Sequence, residues 1–133
     1  MRWLAEAVRL QEEQDRWFAD EERGGYFLSA SDAEALIART RGAYDGAYPS
    51  GNGVSALNLV RLARMTGRTG WEDRARGVLR GFSDGMSRAP IAHAQAMIAL
   101  DFLLGPAREI VVAGDPADPA TRALVAAARA PWF

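Results

Sequence analysis

The stretch Tyr44-Asp45-Gly46-Ala47-Tyr48-Pro49-Ser50-Gly51-Asn52-Gly53 decides how this chain is organised. Proline, serine, glycine and asparagine fill residues 49–53, and these residue types favour turns because they impose or tolerate unusual backbone angles. The stretch is therefore predicted to be a loop. It separates a mixed N-terminal segment from a strongly helical pattern that begins at Val54.

Downstream of this loop the sequence predicts four helices and one strand. Residues 54–65 are apolar around nearly the whole helical circumference, which is typical of a helix packed on several sides. Residues 71–88 are amphipathic, and residues 90–104, which a proline opens, are again largely apolar. The β-branched run at residues 109–114 predicts a strand, and an aspartate–proline pair predicts a short helix over residues 118–129.

Upstream of the loop the pattern is less regular. Residues 2–20 show the apolar spacing of a helix, which the following glycine pair is expected to end. The aromatic residues 26–28 are short enough for a strand. Residues 31–41 stay ambiguous: Ser31 and Glu34 could form a capping box that opens a helix, or the segment could return as the second strand of a hairpin.

Composition and charge exclude several classes of function. The 133 residues are 49% hydrophobic and 25% charged, as in a typical globular domain. Sixteen basic residues against seventeen acidic ones leave a net charge of −1, which argues against nucleic-acid binding. The absence of cysteine excludes disulfides and thiol chemistry, and His93, the one histidine, excludes a two-histidine metal site. With no apolar run long enough for a membrane span and no signal-peptide pattern, we expect a cytoplasmic protein without metal or cofactor.

An ordered series of short motifs covers nearly the whole chain. Its members are Gly24-Gly25-Tyr26-Phe27, Asp32-x-Glu34, Leu36-Ile37-x-Arg39, Tyr44-Asp45-Gly46-Ala47-x-Pro49-Ser50-Gly51-Asn52 and Glu109-Ile110-Val111-Val112-Ala113-Gly114. In order and spacing this series resembles the C-terminal half of the YyaL-type thioredoxin domain-containing proteins, the spermatogenesis-associated protein 20-like family. The string Asp-Gly-Ala-x-Pro-Ser-Gly-Asn is its most specific part.

The resemblance implies a fold. Proteins of that family combine a thioredoxin-like domain, which carries a cysteine motif, with an (α/α)6 toroid similar to N-acylglucosamine 2-epimerases and six-hairpin glycosidases. Because this chain has no cysteine and too few helices for six hairpins, we expect residues 1–133 to form a single domain, a fragment of such a toroid. The expected fold class is mainly α: a partial toroid of antiparallel helix hairpins, with a rim β-hairpin and one C-terminal β-strand. The rim hairpin would pair Tyr26–Ser29 with Ile37–Arg41.

Asp45 is the weak candidate for a catalytic residue, because the resemblance places its loop near the mouth of the toroid. Glycosidases use two carboxyl groups, one as acid and one as base or nucleophile. The alternative is a local turn, since an aspartate before a glycine commonly bonds its own backbone. Asp32 and Glu34, in the expected hairpin turn, are more simply explained as solvated side chains.

Ligand binding is expected of residues in and around the same loop: Tyr26, Tyr44, Asp45, Ser50 and Asn52. Tyrosine rings offer faces on which a sugar stacks, although core or rim packing is their commoner role. Ser50 and Asn52 precede a helix, where they could bind a polar ligand or cap the helix N-terminus. His93 is expected to be largely buried and bonded to a backbone carbonyl.

Two hypotheses of function follow. The first is a toroid segment without independent catalysis that contributes to a cleft for a carbohydrate-like small molecule. The second is a non-enzymatic scaffold or interaction module. Because a partial toroid leaves helix faces uncovered, this second hypothesis predicts a homo-oligomer formed through those faces. The sequence leaves open whether the chain is an enzyme.

Overall fold

The helix that follows the turn-rich loop lies at the centre of the structure. This computed structural model describes residues 2–34, 38–106 and 110–130. The central helix is α2 (Gly51–Thr66), and both α3 (Thr69–Gly81) and α5 (Ala94–Leu104) pack against it. A helix with so little polar surface needs neighbours on several sides, and this arrangement supplies them.

The core is built mainly from these three helices. On α2, Ala56, Leu59 and Val60 are completely covered. Ala75 of α3 and Ala99 of α5 are covered as well. Because alanine side chains are short, both neighbours can approach α2 closely.

Three more α-helices and a short 3₁₀ helix complete the described part of the chain. They are α1 (Arg2–Phe18), α4 (Ser83–Arg88), the 3₁₀ helix Pro90–His93 and α6 (Pro119–Arg129). Helix α1 packs on the core through partly buried apolar side chains, among them Leu4, Val8 and Phe18. The expectation of a mainly helical protein is confirmed.

The prediction of a single amphipathic helix over residues 71–88 is wrong. Helices α3 and α4 are separate, and Phe82, with φ −121° and ψ 8°, interrupts the helical backbone between them. Leu79 before the interruption and Met86 after it are both buried. The apolar spacing therefore continues across the interruption and conceals it in the sequence.

The glycine pair after α1 reverses the chain instead of capping the helix. Gly24 and Gly25 both adopt positive φ, at 73° and 89°. The Asp20 N–H donates to the Gly25 oxygen at 2.8 Å, and the Gly24 N–H donates to the Asp20 oxygen at 2.9 Å. This turn brings Tyr26 back beside Ala19, where the two residues form an isolated antiparallel bridge.

The expected rim hairpin would pair residues 26–29 with residues 37–41. Residue 37 lies outside the described residues, and residues 26–29 and 38–41 do not form a strand pair. The segments run side by side where the Leu28 N–H donates to the Thr40 oxygen at 2.8 Å. Nearby, the Arg39 guanidinium donates to a backbone carbonyl of the first segment at 2.6 Å. A side chain thus takes a hydrogen bond that a regular ladder would give to backbone.

The C-terminal strand expected at residues 109–114 is not formed at residues 110–114, the part that the structure describes. Ile110 and Val111 are 61% and 87% exposed. A strand needs a partner for its backbone N–H and C=O groups, and the described residues place none beside it. Residues 110–114 are an irregular segment before α6.

Candidate functional site

The loop before α2 is fixed by the carboxylate of Asp45. Its Oδ1 accepts the Ser50 N–H and its Oδ2 accepts the Gln95 N–H, each at 2.7 Å. The backbone N–H of Asp45 donates to the Ala92 oxygen, also at 2.7 Å. Asp45 therefore connects the loop to the beginnings of two helices, α2 and α5. Its hydrogen bonds extend beyond the local turn that the neighbouring glycine suggests.

The electrostatics of Asp45 agree with this connecting role. Burial raises its pKa, but the hydrogen bonds from the Gln95 and Ser50 backbones, with the nearby His93, outweigh burial and leave the pKa below its ordinary value. The carboxylate is therefore ionised at neutral pH, with both oxygens engaged. A general acid needs a raised pKa, so this environment favours positioning over proton donation.

Ser50 and Asn52 fix the two chain segments that meet at the start of α2. Ser50 is the N-cap, and its Oγ accepts the Gly53 N–H at 3.2 Å. The Asn52 side chain is buried; its Oδ1 accepts the Tyr26 N–H at 2.7 Å, and its Nδ2 donates to the oxygens of Tyr26 and Gly42, both at 2.9 Å. The Asn52 amide thus bonds Tyr26 as a neighbouring strand would.

Tyr26 lies in the core and does not present a ring face to solvent, since only 3% of it is exposed. Its hydroxyl donates to Asp15 Oδ1 at 2.5 Å and accepts from Gln11 Nε2 at 3.1 Å. Burial and the bond to Asp15 raise the pKa of Tyr26 well above its usual value. Trp71 of α3 donates to the same Asp15 carboxylate at 3.2 Å.

The sequence reasoning missed Gln11 and Asp15, which α1 contributes to this buried junction. A glutamine and an aspartate on an amphipathic helix are ordinary solvent-facing residues, so the pattern contained no signal for them. They have a structural role because the Tyr26 hydroxyl lies beside them and forms hydrogen bonds with both side chains.

Two tyrosines of the loop do face solvent. Tyr44 is 70% exposed and Tyr48 is 83% exposed. The Tyr44 ring meets the His93 ring edge-on, with 6.2 Å between centroids and 83° between planes. His93 itself is largely buried, with Nδ1 2.9 Å from the Ala89 oxygen, so the expected contact with a backbone carbonyl is present.

The predicted ligand-binding residues thus lie in different environments. Tyr26, Ser50 and Asn52 hold the buried junction, whereas Tyr44 lies on the surface and Asp45 connects the loop to two helices. The described residues contain no group of three or more histidine, aspartate or glutamate side chains that could hold a metal ion. None of the described helices combines the length and apolar character that crossing a membrane requires.

A separate surface feature lies away from the loop. An open groove of about 410 Å³ runs between α3 and α4 on one side and α5 on the other. Its floor is apolar and is formed by Leu79, Met86, Met97, Leu100, Leu103 and Leu104. Arg76 and Arg80 of α3 also line it.

Comparisons with known proteins give this arrangement a context. No family model matches the chain, and no solved structure matches it. Human spermatogenesis-associated protein 20 is 42% identical over 124 residues, which cover 92% of this chain and 16% of the human protein. The chain is homologous to a segment of spermatogenesis-associated protein 20.

Other relatives extend this similarity. Spermatogenesis-associated protein 20 of rat is 41% identical over the same length. A Caenorhabditis elegans protein described as uncharacterised is 30% identical over 114 residues, which cover 86% of this chain and 15% of that protein. The chain thus spans about a sixth of the length of the curated relatives it matches. The resemblance carried by the motifs is confirmed as homology to spermatogenesis-associated protein 20.

Proposed function

We propose that the chain is a non-catalytic helical interaction module that associates with further copies of itself through uncovered helix faces. The observation that carries this proposal is a set of large apolar side chains exposed on the described helices. They include Trp3 (77%), Leu10 (55%), Met65 (66%), Leu104 (69%) and Leu124 (60%). Apolar surface of this kind is stabilised when another protein surface covers it.

The site geometry supports a role without independent catalysis. Asp45 is ionised, and backbone N–H groups occupy both of its oxygens. Glycoside hydrolysis would require a carboxyl group that can donate a proton and a second one that is free to act as nucleophile or base. The Asp45 environment suits neither role, since its bonds hold α2 and α5 together.

We also propose that α2, α3 and α5 are hairpin helices of an (α/α) toroid. Support comes from the two-residue connection between α2 and α3, where Gly67 takes φ 71° and its N–H donates to the Ala63 oxygen at 2.8 Å. Short connections make successive helices pack antiparallel. In such a ring, further helices would cover the apolar faces that are exposed here. A cytoplasmic location is part of the same proposal and can be tested by cell fractionation.

Sedimentation velocity and light scattering test self-association directly. The chain should form a dimer or larger species as its concentration rises, and the association should persist at high salt because apolar contacts are not screened. Dissociation by salt would instead indicate charge pairing. A monomer at every concentration would contradict the proposal.

The exposed tyrosines favour a second candidate function, binding of a carbohydrate-like small molecule at the loop. Tyr44 and Tyr48 present aromatic rings on which sugars stack, and Asp45 holds their loop in place. Calorimetric titration with monosaccharides and disaccharides should then give heat that Tyr44→Ala and Tyr48→Ala abolish. Tyr26→Phe is the matched control, because its ring is buried and should not touch the ligand. Absence of heat with every sugar would overturn this candidate.

A further inference from the structure

Helix α6 is the described helix that the core leaves uncovered. None of its residues is buried, and no residue of α6 lines the groove between α3, α4 and α5. The helix is nevertheless well formed: Asp118 caps it, accepting the Thr121 N–H at 3.0 Å, and Pro119 occupies its first turn. A capped helix without a fully buried residue is unusual, because most helical stability comes from packing an apolar face.

The two sides of α6 differ in chemistry. Leu124, Val125 and Ala128 fall on one side at helical spacing, and Val125 and Ala128 are half-buried. Arg122 and Arg129 lie at the edge of this side. Leu124 is 60% exposed. The helix therefore carries an apolar stripe suited to a groove, with charged residues that would stay in water.

The groove matches α6 in length and charge. Its α5 wall and α6 both contain eleven residues, a length of about 16 Å. The groove floor is apolar, and the exposed Arg80 lies at its edge. Asp115 and Asp118 immediately precede α6 and carry the opposite charge. An acidic N-terminal end beside an arginine would orient the helix in the groove.

We propose that α6 of one copy docks in the α3–α4–α5 groove of a second copy, so that two copies exchange α6 helices. This inference rests on the proposed self-association and names the surfaces that carry it. A second copy is the favoured occupant because no residue of α6 lines the groove of its own chain. Residues 105–118 connect α5 to α6, and a segment of this length can span about 45 Å when extended. In a symmetric pair every contact occurs twice, which doubles the apolar surface covered.

The test compares charged substitutions on the two proposed surfaces with matched controls. Leu124→Glu changes the apolar side of α6, and Ala126→Glu places the same charge on its opposite side. Leu104→Glu changes the groove, and Ile98→Glu changes an exposed α5 residue that does not line it. All four positions are exposed, and circular dichroism of each variant verifies the helical fold.

Dimer dissociation constants from sedimentation equilibrium give the result. Leu124→Glu and Leu104→Glu should each weaken dimerisation by about a hundredfold, since the charge enters two symmetric contacts and each loses about tenfold. Ala126→Glu and Ile98→Glu should change it by less than about threefold. An equimolar mixture of Leu124→Glu and Leu104→Glu should form heterodimers, because such a pair retains one intact helix and groove.

Different failures have different meanings. If the wild-type chain dimerises but Leu124→Glu and Leu104→Glu behave like their controls, the exchange of α6 is wrong and the self-association stands. If the mixture forms no heterodimer although each variant alone is monomeric, the pairing of these two surfaces is wrong. If the wild-type chain stays monomeric, both proposals fail. This outcome includes a monomer in which α6 occupies the groove of its own chain.

Discussion

The junction at the start of α2 and the helix α6 differ in how their side chains are attached to the core. At the junction, Asn52 and Tyr26 are buried, and their polar atoms bond one another or neighbouring groups. In α6 the backbone is capped equally well, but no side chain is buried. A cap determines where a helix begins, and only side-chain burial attaches it to the core. The junction is therefore held to the core by buried side chains, whereas α6 presents Leu124 to solvent.

Among the polar side chains, removing the Asn52 amide should have the largest effect. Asn52→Ala leaves the Tyr26 N–H and the oxygens of Tyr26 and Gly42 without their partner. With up to three buried groups unsatisfied, the free energy of unfolding should fall by about 3–4 kcal/mol. Urea denaturation followed by circular dichroism measures this change.

Asn58→Ala is the matched control, since Asn58 lies on the same helix but is exposed. It should change stability by less than about 0.5 kcal/mol. Equal effects at positions 52 and 58 would show that the junction does not hold the N-terminal segment to α2.

Asp45→Asn should have the next largest effect, about 2 kcal/mol at neutral pH, because it removes charge from two hydrogen bonds. The folded pKa of Asp45 is lowered, so its stabilisation is present above the ordinary carboxyl pKa. That stabilisation should be lost as the pH falls below about 4. Denaturation across a pH series should therefore show a smaller acid-induced loss in Asp45→Asn than in the wild type.

Asp20 also has a lowered pKa, although burial opposes the effect of its hydrogen bonds and its arginine partners Arg23 and Arg41. Part of the acid sensitivity should therefore persist in Asp45→Asn. Asp84→Asn serves as the control, because the Asp84 side chain is 92% exposed. An identical pH profile for wild type and Asp45→Asn would contradict the connecting role of Asp45.

Two glycines of α3 should respond to alanine with opposite signs. A Cβ on Gly81 would lie 2.5 Å from the Arg23 oxygen, so Gly81→Ala should destabilise by about 1–3 kcal/mol. A Cβ on Gly77 would meet nothing within 4 Å, so Gly77→Ala should stabilise by about 0.5–1 kcal/mol through helix propensity. Thermal and urea unfolding measure both, and a shared sign would show that the turn does not press on the end of α3.

The smallest effect should come from α6. Leu124→Ala, measured at a dilution where the chain is monomeric, should change the free energy of unfolding by less than about 0.5 kcal/mol. Leu59→Ala, at a completely covered leucine, should cost about 2–5 kcal/mol. A large fall in the free energy of unfolding of monomeric Leu124→Ala would show that α6 packs on the core of its own chain, and α6 would then not differ from the junction.

The sequence predicted the helices whose signals are local. Gly67 directly follows the last residue of α2 and caps it, and Asp118 with Pro119 begins α6 as predicted. The predictions failed where the decision depended on distant residues. The β-branched run at residues 110–114 is exposed because no strand lies beside it among the described residues, and no local pattern contains that information.

The candidate site shows the same division. Ser50 as a helix cap follows from its position before an apolar helix, since capping depends on residues within one turn. The partners of Asp45 and Tyr26 do not follow, because Gln95 is fifty residues from Asp45 and Asp15 lies on an apparently solvent-facing position of α1.

By itself, then, the sequence determined a helical chain centred on the apolar helix after its turn-rich loop, with turns where proline and glycine restrict or free the backbone. Only the tertiary structure decided which polar side chains are buried and bonded, and which apolar faces stay uncovered. The physical reason is range: helix caps and turns depend on neighbours in sequence, whereas burial depends on what the rest of the chain brings alongside.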